Sequence, residues 1–180
     1  MSDRDEIPDV LNEFSLFGHV AEVGVLWGGF TAHVLAKWKG EKYYCVDPWV
    51  AQSDEVYREK DDNVDYDQCF RQVNQLAEKD KRVVVLKGLS EVMVKDVPLC
   101  SLDWAFIDGN HIYKNVLDDM DVWFNRLKIG GILSGHDYNH NPEYPAFCEV
   151  KPAVDRWMKD HNITFVVDKG SPPSWWAIKP

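Results

Sequence analysis

Blocks of continuous apolar residues alternate along the chain with blocks whose apolar residues recur at helical spacing. Short continuous apolar runs are typical of buried strands. Such runs lie at residues 20–26, 43–47, 82–86, 102–107, 131–135, 163–167 and 175–178. The helical spacing predicts helices over 31–39, 65–79, 113–127 and 150–161, with a shorter helix near 11–17. We expect Gly130 and Gly131 to end the helix over 113–127, because glycine is favoured just after a helix.

This alternation of strands and helices predicts an α/β fold. We expect a doubly wound, Rossmann-like, mostly parallel sheet with helices on both faces and an antiparallel last strand. The 180 residues suit one domain over 1–180, with 1–17 as a helical N-terminal extension. Ligands bind such sheets beyond the carboxyl ends of the strands. The longest irregular stretches, 48–64 and 138–149, leave such ends and are candidate lid loops.

Charge and hydropathy narrow the classes of partner. The chain has 20 Lys and Arg residues against 30 Asp and Glu residues, and a net charge of −10. This balance argues against nucleic acid or an anionic membrane as a partner, because binding phosphate relies on clustered cations. No apolar stretch approaches the ~18 residues of a membrane span, and the polar start lacks the apolar core of a signal peptide. We therefore expect a cytoplasmic protein; its oligomeric state is not readable from the sequence.

A glycine-rich turn follows the first predicted strand, with Gly24 and Gly28 in it and Thr31 just after it. Such a turn lets a ligand lie against the main chain. The spacing differs from G-x-G-x-x-G, so a nicotinamide dinucleotide is not favoured. Asp47 ends the second strand, where an acid can accept hydrogen bonds from both hydroxyls of a ribose, and Trp49 could cover an adenine ring. The alternatives are a tight turn without a ligand, a capping or solvated acid, and a core tryptophan.

Two polar clusters end the fourth and fifth predicted strands. Asp108 and His111 follow the strand over 102–107, and His136 and Asp137 follow the strand over 131–135. Two carboxylates and an imidazole can hold a divalent cation with open positions for substrate oxygens. His111 is then available as a general base, because the pKa of imidazole lies near working pH. The alternative makes these residues a turn acid, a helix N-terminal residue and a solvated loop.

These motifs together resemble the class I S-adenosylmethionine-dependent methyltransferases. The segment E-V-G-V-x-x-G-G-F-T is similar to their first motif, and L-K-x-G-G at 127–131 is similar to the step before their fifth strand. Within that superfamily, F-I-D-G-N-H-x-Y at 106–113 and G-G-x-L-x-G-H-D-Y at 130–138 resemble the macrocin-type, metal-dependent sugar O-methyltransferases. The resemblance covers about residues 18–167.

The resemblance implies a role for each matching residue. The residues implied to bind the cofactor are Glu22, Gly24, Gly28, Thr31, Asp47, Trp49, Ser90 and Asp108. Among them, Asp47 would bind the ribose and Ser90 would lie near the adenine. Asp108, His136 and Asp137 would hold Mg²⁺, and His111 would be the general base. His136 stands where the macrocin-type enzymes carry a second carboxylate, which lowers the negative charge of the site.

The resemblance thus implies an S-adenosylmethionine-dependent methyltransferase that methylates oxygen on a hydroxylated small molecule or saccharide, with a divalent metal and a histidine base. Three alternatives stay open. One is a metal-independent methyltransferase in which His111 and Asp137 act alone. The others are a nucleotide-cofactor oxidoreductase and a non-catalytic nucleoside-binding protein on the same fold. The cofactors implied are S-adenosylmethionine and Mg²⁺.

Overall fold

A seven-stranded sheet forms the centre of the protein in a computed structural model that describes residues 3–51, 64–142 and 147–180. The strand order is β3-β2-β1-β4-β5-β7-β6. The strands are β1 His19–Val23, β2 Lys42–Asp47, β3 Val83–Lys87, β4 Leu102–Ile107, β5 Leu127–Gly135, β6 Phe165–Val167 and β7 Trp175–Ile178. β1 to β5 pair in parallel, whereas β7 runs antiparallel to both β5 and β6. This confirms the mostly parallel sheet and the antiparallel last strand.

Helices cover both faces of the sheet, as the alternation predicted. The α-helices are α1 Ile7–Glu13, α2 Gly29–Lys37, α3 Tyr66–Lys79, α4 Ser90–Met93, α5 Tyr113–Phe124 and α6 Val150–Asp160. One apolar core joins one face of the sheet to buried residues of α1, α2 and α3, including Leu11, Val34 and Val73. The other joins the opposite face to α5 and α6, including Met120 and Trp157. Because β1 to β5 run in parallel between these two cores, their carboxyl ends lie at a common edge of the sheet.

Two predicted boundaries were wrong. The first helix begins at Ile7 and ends at Glu13, earlier than the predicted 11–17. α5 ends at Phe124, and residues 127–131 belong to β5 rather than to a helix end. Gly130 has φ +79° inside that strand, and the pairing of β5 with β4 slips between Leu102 and Trp104. The glycines therefore allow an irregular strand. In the sequence, the same glycines resemble the end of a helix. The short helix α4 was not predicted.

The two lid predictions fall partly outside the described residues, at 52–63 and 143–146. In the ranges that the structure does describe, no helix is long and apolar enough to cross a membrane.

Candidate active site

A cavity of about 870 Å³ opens at the carboxyl edge of the sheet. Its walls include the turns that follow β1, β2, β3 and β4, one side of α5, and Arg4 from the N-terminal segment. The chain leaves β1 towards β2 on one side and returns to β4 on the other, so the cavity lies where the strand order reverses. Its volume is in the range of small-molecule and cofactor sites.

The turn after β1 lies directly against the turn after β4. Gly24 has φ +86°, and a Cβ atom at this position would stand 2.1 Å from the carbonyl oxygen of Asp108. The backbone N–H of Asp108 in turn donates to the carbonyl of Val23 at 2.7 Å. Glycine is therefore required at position 24 both for the backbone angle and for the close approach of two main chains.

Asp47 holds the same turn from the end of β2. Its Oδ2 accepts the N–H groups of Val25 and Leu26, each at 2.9 Å, and its Oδ1 accepts the N–H of Trp49 at 2.6 Å. The residue is buried and still contributes to the cavity wall. Asp47 thus shapes the turn in addition to lining the cavity.

Glu22 is buried at the base of the cavity. Its Oε2 accepts the hydroxyls of Thr31 at 2.6 Å and Tyr43 at 2.7 Å. Burial raises the pKa of the Glu22 carboxyl to about 7, although both hydrogen bonds act against that shift. The side chain therefore fixes the start of α2 against β1 and β2.

Three residues implied to bind the cofactor do not line the described cavity: Gly28, Thr31 and Trp49. Thr31 is fully buried and engaged by Glu22. The indole of Trp49 is buried against Phe70 and donates from Nε1 to the carbonyl of Leu26 at 2.7 Å. The side chains of Thr31 and Trp49 therefore support the turn from the side away from the cavity. For Trp49 this agrees with the alternative interpretation, a tryptophan of the core.

Ser90 begins α4 and lines the cavity at the end of β3. Its Oγ accepts the indole N–H of Trp123 at 2.7 Å, and its hydroxyl is hydrogen-bonded to Asp119. Asp119 is buried, also lines the cavity, and burial raises its pKa to about 7. Asp119 was missed from the sequence, although it falls between Val116 and Trp123 on the buried side of α5.

The two polar clusters predicted from the sequence converge, because β4 and β5 are neighbours. Asp137 Oδ2 lies 3.2 Å from His111 Nε2 and 3.2 Å from His136 Nδ1. His136 Nδ1 is 3.8 Å from Asp108 Oδ1. Of the four side chains, Asp108 and His111 line the cavity. Two carboxylates and two imidazoles thus form one cluster at its end.

The two carboxyls of this cluster differ in electrostatics. Burial and the neighbouring charge of Asp137 raise the pKa of Asp108 well above its usual range, with Arg4 acting in the opposite direction. Burial would also raise the pKa of Asp137, but the hydrogen bond from His136 and the charges of His111, His136 and Arg4 lower it. Asp137 is therefore the carboxylate that keeps its charge between the two histidines.

One trio of side chains among the described residues has the geometry to hold a metal ion. Single ligand atoms of Asp108, His111 and Asp137 lie within 4.8 Å of one another. Carboxylate oxygens and an imidazole nitrogen are ligands that Mg²⁺, Mn²⁺ and other divalent cations accept. The trio includes His111, whereas the resemblance implied His136, whose Nδ1 lies beside the carboxylate of Asp137. Among the described residues, the set that meets this geometry therefore contains His111 as its imidazole.

Sequence reasoning missed Arg4 and Asn110. Arg4 Nη1 lies 3.2 Å from Asp108 Oδ2 and reaches it from 104 residues away, which no local pattern could reveal. Asn110 accepts the N–H of Ile112 at 2.8 Å through its side chain and so shapes the turn that presents His111. The position of Asn110, two residues after Asp108, could have indicated this role, because asparagine favours such turns.

The comparison of the sequence with known families decides the class of protein. A family described as "Methyltransferase domain" matches residues 21–138, more than half of the chain. The chain belongs to this methyltransferase family. It is an S-adenosylmethionine-dependent methyltransferase of the class I fold. No curated protein matches the sequence.

Solved structures share the fold of this methyltransferase at low sequence identity. A Staphylococcus aureus protein assigned as a caffeoyl-CoA O-methyltransferase is 12% identical with TM-score 0.72, and the match covers 100% of this chain and 85% of that one. The O-methyltransferase TomG from Streptomyces achromogenes, in complex with SAM, is 12% identical with TM-score 0.66, covering 98% and 79%. A SAM-dependent methyltransferase from Aquifex aeolicus is 19% identical with TM-score 0.60, covering 98% and 92%.

The buried Glu22 of the methyltransferase predicts a pH-dependent stability. Its pKa of about 7, above the ordinary 4.5, means that the folded state holds the proton more tightly than the unfolded state. The contribution of Glu22 to the free energy of unfolding should fall as pH rises from 4.5 to 7, by about 3 kcal/mol, and stay constant above it. Glu22→Gln should remove this decline. Urea titrations between pH 5 and 8 measure it.

The matched control is Glu13→Gln, at the exposed end of α1, which should leave the pH dependence of the wild type intact. Asp119 retains its own contribution in both variants. A wild-type slope that persists in Glu22→Gln would contradict the assignment.

Proposed function

We propose that this methyltransferase transfers a methyl group to a hydroxyl oxygen of a small molecule, with His111 as proton acceptor and a divalent cation at Asp108, His136 and Asp137. The convergence of these four side chains at the end of the cavity carries the proposal. The names of two similar structures, an assigned caffeoyl-CoA O-methyltransferase and the O-methyltransferase TomG, support oxygen as the methylated atom.

The walls of the cavity divide into an end suited to the cofactor and an end suited to the reaction. Gly24, Asp47 and Ser90 line the part beside the carboxyl ends of β1, β2 and β3. The nucleoside and amino-acid portions of the cofactor would lie there against the main chain. S-adenosylmethionine supplies a methyl group made electrophilic by its sulfonium. Asp108 and His111 line the other part, beside the ends of β4 and β5. The acceptor hydroxyl would therefore lie near His111.

In this proposal His111 removes the hydroxyl proton. Its imidazole faces the cavity, and its Nε2 lies 3.2 Å from the carboxylate of Asp137. A carboxylate at this distance orients the ring and stabilises the imidazolium that forms when the ring takes a proton. The turn held by Asn110 and the backbone N–H of Glu149, which donates to the carbonyl of His111 at 2.9 Å, fix the residue in place.

Asp108, Asp137 and His136 are the residues proposed to hold the cation. When bound there, a divalent cation lowers the pKa of a hydroxyl that coordinates it. The carboxylates come from the ends of two adjacent strands, so their positions depend on the sheet rather than on a flexible loop. In a second candidate arrangement, His111 replaces His136 as the third ligand. The trio of Asp108, His111 and Asp137, whose ligand atoms lie within 4.8 Å of one another, favours this arrangement.

The transfer of a labelled methyl group tests the proposed reaction. The enzyme is incubated with methyl-labelled S-adenosylmethionine and panels of catechols, phenols and saccharides, with and without EDTA. We expect label on oxygen, a loss of transfer with EDTA and recovery on addition of Mg²⁺. Transfer only to nitrogen or carbon acceptors would overturn the choice of oxygen. Transfer that is unaffected by EDTA would favour the metal-independent alternative, in which His111 and Asp137 act alone.

Metal affinity distinguishes the two imidazoles. Removing a ligand should weaken Mn²⁺ binding by at least about ten-fold, since even the loss of an outer partner typically costs that much. We expect this loss in His136→Ala and an affinity close to wild type in His111→Ala. Calorimetric titration of both variants with Mn²⁺ measures the difference. The reverse pattern would assign the ligand role to His111.

A further inference from the structure

We propose that Arg4 competes with the divalent cation for Asp108, so that metal binding releases the N-terminal turn Arg4–Glu6 from the cavity. This inference rests on the cation of the proposed function. It adds a residue that lies far from the site in sequence and that the methyl-transfer chemistry itself does not require.

The guanidinium of Arg4 occupies the reactive end of the cavity. Its Nη1 lies 3.2 Å from Asp108 Oδ2, and its Cζ lies 5.2 Å from the ring centroid of Phe30. Both side chains of the ion pair are partly shielded, with 33% of Arg4 and 19% of Asp108 exposed. Electrostatic interactions are less screened at such a place than at the surface. Arg4 is therefore a cation already bound to a carboxylate that the metal would need.

Two cations at Asp108 would oppose each other. Asp108 belongs to the trio with His111 and Asp137 whose ligand atoms lie within 4.8 Å, and it is also the ion-pair partner of Arg4. A divalent cation bound to Asp108 would place three positive charges, its own two and that of Arg4, around one carboxylate. Each cation must therefore weaken the binding of the other, and by thermodynamic linkage the effect is reciprocal.

The N-terminal turn can leave the cavity without unfolding the helix that follows it. No residue of Arg4–Glu6 is buried, whereas Ile7 and Leu11 anchor α1 in the core. The carbonyl of Asp5 also lies 2.8 Å from His33 Nε2, and this contact is exposed. Because the turn is unburied while the helix after it is anchored in the core, the boundary at Ile7 can act as a hinge.

The consequence is a link between metal loading and access to the reactive end. With Arg4 on Asp108, the guanidinium fills part of the space beside His111 and Phe30. With the cation on Asp108, that space is open to an acceptor. The metal ion thus replaces the positive charge of Arg4 at Asp108, and the Arg4 side chain leaves the cavity.

Mn²⁺ titration by calorimetry tests the competition. Arg4→Ala should bind Mn²⁺ about ten-fold more tightly than the wild type, within the usual range of coupling between sites. Arg4→Lys, which keeps the charge, should bind less tightly than Arg4→Ala. The matched control is Lys37→Ala, which removes another ion pair to the N-terminal segment, the exposed contact with Asp9, and should leave Mn²⁺ affinity unchanged.

A second measurement follows the turn itself. Trypsin cleavage after Arg4, followed by mass spectrometry, should accelerate several-fold when Mn²⁺ is added to the wild type. It should not accelerate in Asp137→Asn, which lacks a proposed metal ligand and keeps the Arg4–Asp108 pair.

Equal or weaker Mn²⁺ affinity in Arg4→Ala would overturn the competition while leaving the metal site intact. A cleavage rate in the wild type that is independent of Mn²⁺ would overturn the release of the turn. Absence of Mn²⁺ binding in every variant would overturn the metal site, and the competition with it. Binding of S-adenosylhomocysteine to the same samples reports separately on the cofactor site.

Discussion

Replacing His111 with alanine is expected to lower kcat by about 10²- to 10⁴-fold, the usual contribution of a general base. The affinity for S-adenosylhomocysteine should stay unchanged, because the proposed function gives His111 a role towards the acceptor and not towards the cofactor. Steady-state kinetics with the best acceptor of the panel and calorimetry with S-adenosylhomocysteine measure the two quantities.

His161→Ala is the control for this variant, because His161 is an exposed histidine at the end of α6 and is not among the residues that line the described cavity. It should keep wild-type kcat. If His111→Ala retained wild-type turnover, the proton would have to be taken by another group.

Replacing Gly24 with alanine is expected to destabilise the fold by about 4 kcal/mol. The added Cβ would stand 2.1 Å from the carbonyl oxygen of Asp108, and the backbone at φ +86° is strained for any residue with a side chain. Strain at a positive φ and overpacking each typically cost about 1–3 kcal/mol. The two turns would have to separate, so S-adenosylhomocysteine affinity should fall as well. Urea unfolding and calorimetry measure these effects.

Gly109→Ala provides a matched control in the facing turn. A Cβ at Gly109 would meet nothing closer than Asp119 Oδ2 at 3.6 Å, an ordinary contact. Its effect on the free energy of unfolding should be small. Equal destabilisation by the two substitutions would contradict the close approach at Gly24.

The sheet could be predicted because each of its strands is a short apolar run between helical segments. The runs ending at Asp47 and Ile107 are buried along nearly their whole length, which is why periodicity alone located them. The segment 127–131 could not be assigned correctly, since Gly130 at φ +79° serves an irregular strand as well as it would serve a helix end. Local sequence does not distinguish these two uses of glycine.

The candidate site was predictable to the extent that its residues end strands. Asp108 and His136 follow neighbouring strands, so the topology brings them together. Arg4 could not be found, because its contact depends on how the N-terminal segment packs over the sheet. The sequence also could not show that Thr31 and Trp49 face the core, since a turn residue near a ligand site can face either the cavity or the core.

Asp47 has a limited number of acceptor positions, and most of them are already committed. An ionised carboxylate offers about four lone-pair directions, and the N–H groups of Val25, Leu26 and Trp49 occupy three. A ribose brings two hydroxyl donors. In the proposed cofactor site, a ribose that donated both hydroxyls to Asp47 would therefore have to displace at least one of these backbone N–H groups, and the glycine turn would change shape as the nucleoside enters.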